Sequence, residues 1–70
     1  MITEIPPVGT NIRRLRQMKG LRTVEVAEAA GTLQRNVQRW ERGDVVPSWP
    51  QMVRLSDALG VEPYELWVIA

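Results

Sequence analysis

Residues 23–43 read TVEVAEAAGTLQRNVQRWERG, two short helical stretches divided by one glycine. In the first, residues 23–30, Val26, Ala27 and Ala30 form an apolar stripe at helical spacing. The second, residues 33–42, is closed by Gly43. Each is too short to persist alone in water, so both must be held by packing. Ala27 is small where the second helix has to approach closely. Gly31 follows four residues later, where the turn needs a positive φ. Projected at about 100° per residue, Leu33, Val37 and Trp40 share one side of the second helix and are expected to be its buried stripe. Gln34, Arg35, Gln38, Arg39 and Arg42 fall on the opposite side, and Glu41 lies at its border with the core. That outer stripe holds only amides and guanidiniums.

The flanking sequence supplies the remaining elements. Residues 1–9, MITEIPPVG, read as an extended arm because Pro6-Pro7 blocks a helix. A helix is expected from Thr10 or Asn11, both good caps, to Gly20, with Ile12, Leu15 and Met18 inward. A fourth begins at Ser48, where Ser48 and Gln51 have capping-box spacing and Pro50 falls in the first turn. Trp49, Met52, Leu55 and Leu59 give it an inner face, and Gly60 ends it. Trp40 and Trp49 are both expected in the core. A last short helix over 62–67 should turn Leu66 inward. The expectation is one all-α domain of five helices: arm 1–9, core 10–67 and apolar tail 68–70.

Composition narrows the chemistry. The 70 residues include no cysteine and no histidine, which removes disulfides, the common zinc sites, and any catalysis that needs a thiol or imidazole. Glu25, Glu28, Asp57, Glu62 and Glu65 occupy ordinary helix-surface or cap positions, and no glycine-rich phosphate loop accompanies them. No enzyme, cofactor or metal site is expected. No apolar run approaches the ~18 residues of a membrane span, and no signal-peptide layout precedes the first charges. A cytoplasmic protein is the default. The net charge of +1 hides an asymmetry. In residues 1–22, Arg13, Arg14, Arg16, Lys19 and Arg22 face only Glu4, leaving +4; in 44–70, Arg54 faces Asp44, Asp57, Glu62 and Glu65, leaving −3. Such a field steers a polyanion to one side.

A small residue, three spacers, a glycine and a second short helix make helix-turn-helix geometry. On its outer helix, Arg matches guanine O6 and N7, and Gln matches adenine N6 and N7. Beyond this, the run Ile12–Leu66 resembles a Cro/cI-type (XRE family), lambda-repressor-like domain. The carrying stretches are NIRRLRQMKGL, VAEAAG, NVQRWERG and PSWPQMVRLSDALGV. The resemblance implies sequence-specific binding of double-stranded DNA by a transcriptional regulator, expected to be a repressor. A homodimer would sit on an inverted-repeat operator, with helix 33–42 in the major groove. It implies base contacts by Gln34, Arg35 and Arg39, to which Gln38 is added from the outer stripe. Arg22, Thr23, Asn36 and Arg42 are the expected phosphate contacts, and Arg16 and Glu41 the structural ion pair. Arg13 and Arg14 lie on a helix that mostly faces away from the groove.

Three departures from the family pattern stand out. Arg22-Thr23 replaces the usual Thr or Ser followed by Gln. Leu33 stands where a polar cap is usual, leaving Thr32 as an alternative cap or Leu33 free to touch a thymine methyl. Asp44-Val45-Val46 replaces a loop that usually carries Lys or Arg. These departures, with the apolar Ile2, Ile5, Val8, Val68 and Ile69, leave a second reading open. In it the domain mainly binds protein, as an antitoxin or anti-repressor does, with weak DNA contact.

Overall fold

The computed structural model describes residues 8–67. They form four α-helices and a closing 3-10 turn: α1 Val8–Met18, α2 Thr23–Ala30, α3 Gln34–Arg42, α4 Trp49–Leu59, and the turn Pro63–Leu66. The fifth helix expected over 62–67 is therefore a single 3-10 turn, opened by Pro63. Short-range chemistry sets most of the ends. Gly31 takes φ 70° after α2, and the Thr32 N–H donates back to the Ala27 carbonyl at 2.9 Å. This left-handed cap closes the α2–α3 turn in the fewest residues. At α4 the capping box forms, with the Ser48 N–H donating to Gln51 Oε1 at 2.8 Å and the Gln51 N–H donating to Ser48 Oγ at 3.4 Å.

The core joins all five elements. Val8, Ile12 and Leu15 come from α1, Val26, Ala27 and Ala30 from α2, and Val37 and Trp40 from α3; Met52, Leu55 and Leu59 of α4 and Leu66 complete it. α3 packs on both α1 and α2, while α4 packs on α2 and the 3-10 turn. Buried Asn11 is a polar stitch through this core, its side-chain amide donating to the Leu66 carbonyl at 3.0 Å. Leu66 faces inward, as its spacing requires.

Several expectations need correction. α1 starts at Val8, so Val8 and Gly9 belong to the helix; Val8 is buried core, and neither Thr10 nor Asn11 is a cap. The other arm and tail residues, Ile2, Ile5, Val68 and Ile69, lie outside the described residues. Trp49 is 62% exposed. It is the first residue of α4, where the inner stripe runs past the elements it packs on; Pro47 is buried just before it. Met18 is 71% exposed at the end of α1, where its sulfur meets only the Arg14 guanidinium of its own helix among the hydrogen-bond donors of the described residues. Leu33 is 57% exposed. Its φ of −94° and ψ of 148° make it the extended residue before α3, so the helical projection that placed it beside Val37 does not apply.

Gly9 is the residue whose role is least local. A Cβ built there would collide with the Trp40 carbonyl oxygen and come 3.1 Å from that of Glu41. The first turn of α1 thus lies directly on the backbone at the end of α3. Gly→Ala inside an exposed helix normally stabilises by up to about 1 kcal/mol. Here the sign reverses. Gly9→Ala is expected to lower unfolding free energy by about 1–3 kcal/mol, the usual range for overpacking, as read by urea titration.

Candidate nucleic-acid interface

α3 presents its outer face because its inner face is committed. Val37 and Trp40 are buried, and behind them Ala27 and Ala30 of α2 leave room for close packing. The end of the helix is clamped as well. Arg16 Nε donates to Glu41 Oε2 at 2.6 Å and Nη2 to Oε1 at 3.0 Å, while Nη1 donates to the Leu21 carbonyl at 2.9 Å. The two side chains are only 14% and 9% exposed. The Glu41 carboxylate, chiefly through its hydrogen bonds, raises the Arg16 pKa above its ordinary value against the opposing effect of burial. Arg16 therefore stays charged throughout the pH range in which proteins fold. One guanidinium joins α1, the α1–α2 link and α3.

The structure brings Gln34, Arg35, Gln38, Arg39 and Arg42 together, all exposed, along the outside of α3. They are not equally free. Arg35 and Arg39 make no hydrogen bond or ion pair among the described residues. Gln34 Nε2 donates to Thr23 Oγ1 at 2.9 Å, a bridge from the start of α3 to the start of α2. Half-buried Asn36 donates its side-chain N–H to Thr32 Oγ1 at 2.9 Å, so Thr32 supports Asn36 and no side chain caps α3. Arg42 directs Nε and Nη2 to Asp44 Oδ2, each at 3.0 Å.

At α2, the Arg22 N–H donates to Glu25 Oε1 at 2.7 Å, with the Arg22 guanidinium 3.6 Å from the same oxygen. That backbone hydrogen bond is the main reason the Glu25 pKa lies below the usual carboxylate value. Whatever this cap adds to folding is present above the ordinary pKa and is lost as pH falls through the depressed one. A polar recess of about 310 Å³ lies between α1 and α3, lined by Arg13, Gln38, Glu41 and Arg42. Arg13 thus stands beside the outer face of α3. The sequence marked it only as a charge on a helix facing elsewhere, because the packing of α1 on α3 is not locally encoded. The Thr23–Gln34 bridge and the capture of Arg42 by Asp44 were missed for a similar reason. Only the proximity of Asp44 to Arg42 in sequence could have signalled the second.

Two short helices locked across a left-handed glycine, the second anchored below and polar above, define a helix-turn-helix domain of Cro/cI type. A helix-turn-helix domain profile matches residues 8–66, and the chain belongs to that family. It is 41% identical over 59 residues to the HTH-type transcriptional regulator y4dJ of Sinorhizobium fredii, covering 84% of this chain and 77% of that one. Among solved structures it is similar to the restriction-modification controller protein C.AhdI from Aeromonas hydrophila, with a TM-score of 0.83, 34% identity, and 87% and 92% of the two chains covered. It is also similar to the P22 c2 repressor, solved with a synthetic operator, with a TM-score of 0.81, 26% identity, and 91% and 94% covered.

Removing one partner of the clamp leaves a charge in a nearly closed site. Glu41→Ala is expected to cost about 3 kcal/mol of stability. Calorimetric or urea unfolding measures the loss, and a cost below 1 kcal/mol would show that α3 is held by its apolar contacts alone.

Proposed function

We propose that the chain is a sequence-specific DNA-binding transcriptional regulator, acting as a repressor by occupying a promoter, and that α3 reads base edges in the major groove. The observation that carries this is the outer face of α3, where Arg35 and Arg39 stand exposed with no partner among the described residues and Gln34 and Gln38 flank them. Exposed guanidiniums and amides on a helix anchored from behind are what bidentate recognition of guanine and adenine requires. Gln34, Arg35, Gln38 and Arg39 take the base-contact role. Arg22, Thr23, Asn36 and Arg42 take phosphate contacts, which position the helix without specifying sequence.

Two copies would bind an inverted repeat with half-sites about one turn, ~10 bp, apart. A cytoplasmic, nucleoid-associated location accords with this role, and no described helix is long and apolar enough to cross a membrane. The names of the relatives, a repressor solved on an operator and a controller protein, support the reading.

Selection of bound sequences from random duplexes tests it. An enriched inverted repeat is expected, with Arg35→Ala and Arg39→Ala each costing ~1–3 kcal/mol and relaxing one base position. If nothing is enriched at low salt, the protein-binding reading takes over; the exposed Val45, Val46 and Trp49 are the surface it would use. A second outcome follows from Asp44. Phosphate must compete with this carboxylate for Arg42, and an exposed pair of this kind is worth under about 1 kcal/mol. Asp44→Asn is expected to tighten binding roughly 2–5-fold at low salt and to steepen the salt dependence toward one more phosphate, a slope change of about 0.9. Fluorescence anisotropy at several salt concentrations reads both.

A further inference from the structure

We infer that Met18 is an oxidation site: its thioether takes one oxygen atom from a peroxide, and the Arg14 guanidinium holds the sulfoxide so formed, so that oxidation fastens this end of α1 instead of loosening it.

Arg14 is a donor without an adequate acceptor. It is half-buried and hydrogen-bonds to Asn11, the residue that ties α1 to the closing 3-10 turn, whereas Arg16 turns to Glu41 of α3. A guanidinium carries five N–H bonds and accepts none. Here Nη2 donates to Asn11 Oδ1 at a long 3.3 Å, and Nη1 donates to the Met18 sulfur at 3.7 Å. Buried Nε has no partner among the described residues. Thioether sulfur is a weak acceptor, so the charge of Arg14 is poorly met on its own helix.

Oxidation supplies the stronger acceptor. Met18 is the last residue of α1, 71% exposed and one helical turn beyond Arg14, so oxidant reaches it from solvent. In the step, the sulfur lone pair attacks one oxygen of the peroxide and the O–O bond breaks. Sulfur is oxidised by two electrons and keeps that oxygen; the departing oxygen is reduced, takes the proton and leaves as water when the oxidant is hydrogen peroxide. The new oxygen carries the negative end of a strong dipole. It stands one bond out from a sulfur that is already 3.7 Å from Nη1, which puts ordinary N–H···O distance within its reach. A weak contact to sulfur becomes a charge-assisted hydrogen bond to oxygen. Met52 is the contrast. It is 2% exposed in the apolar core, where a sulfoxide would be a polar group with no place to go. Met18 therefore meets a peroxide first, at a position where the product has a partner.

The test treats the full chain with hydrogen peroxide, maps oxidation by mass spectrometry and reads stability by urea titration. Met18 is expected to react at the rate of an unstructured peptide, and Met52 at least roughly 10-fold more slowly. Full conversion at Met18 should raise the urea midpoint of the native chain by roughly 0.3 M, and a methionine sulfoxide reductase should return it to its starting value. Met18→Leu, which keeps Met1 and Met52, should show no rise under the same treatment. Arg14→Ala should oxidise at Met18 and gain nothing. Met18→Gln, which offers a carbonyl oxygen to Arg14 without any oxidant, should exceed Met18→Leu in midpoint. A native midpoint that falls or stands still on conversion overturns the proposal. So does a rise that persists in Arg14→Ala or in Met18→Leu, or Met52 reacting as fast as Met18.

Discussion

The Arg16–Glu41 pair sits where three pieces of chain meet. Its guanidinium holds both carboxylate oxygens of α3 and the Leu21 carbonyl in the link between α1 and α2. A helix of nine residues has little stability of its own. Its orientation is set by what grips it from behind, and Val37 and Trp40 grip without direction. A two-pronged guanidinium–carboxylate contact adds the direction. Gly9, lying on the Trp40 and Glu41 carbonyls, completes the same junction from the backbone side. The orientation of the outer face is thus set on the inner one, and the proposed reading of bases needs a fixed orientation because hydrogen-bond pairs tolerate little misplacement.

On the outer face, the charges are divided by their neighbours. Arg35 and Arg39 have no partner among the described residues, while Arg42 is held by Asp44 and Arg22 lies near Glu25. Phosphate contacts provide affinity for any duplex, and base contacts provide discrimination. On the proposed assignment, the acids sit against the arginines given to phosphate and leave those given to bases alone. That assignment would trade tight general attachment for a larger ratio of correct to incorrect sites, which is the quantity that matters amid a genome of competitors.

Much of the fold was legible because it is local. The bounds of α2, the turn glycine and the Ser48 box depend on residues within a turn of one another, and the chain carries them openly. The misread residues depend on what lies opposite. Trp49 and Met18 have the composition of core and sit exposed at helix ends; Gly9 looks like a linker and is a contact. Leu33 failed because a helical projection assumed a helix one residue too early. The site divides the same way. Which residues face outward follows from periodicity alone, while which of them are engaged, Gln34 by Thr23 and Arg42 by Asp44, requires the third dimension.

The Asn11–Leu66 stitch has an architectural consequence. Asn11 lies one turn into α1 and Leu66 closes the final 3-10 turn, so a single buried amide ties the entrance of the folded unit to its exit. Domains whose ends lie together tolerate circular permutation and insertion into other chains. The same entrance lies against the end of α3 through Gly9, so a change at either end of the described residues is felt at the outer helix.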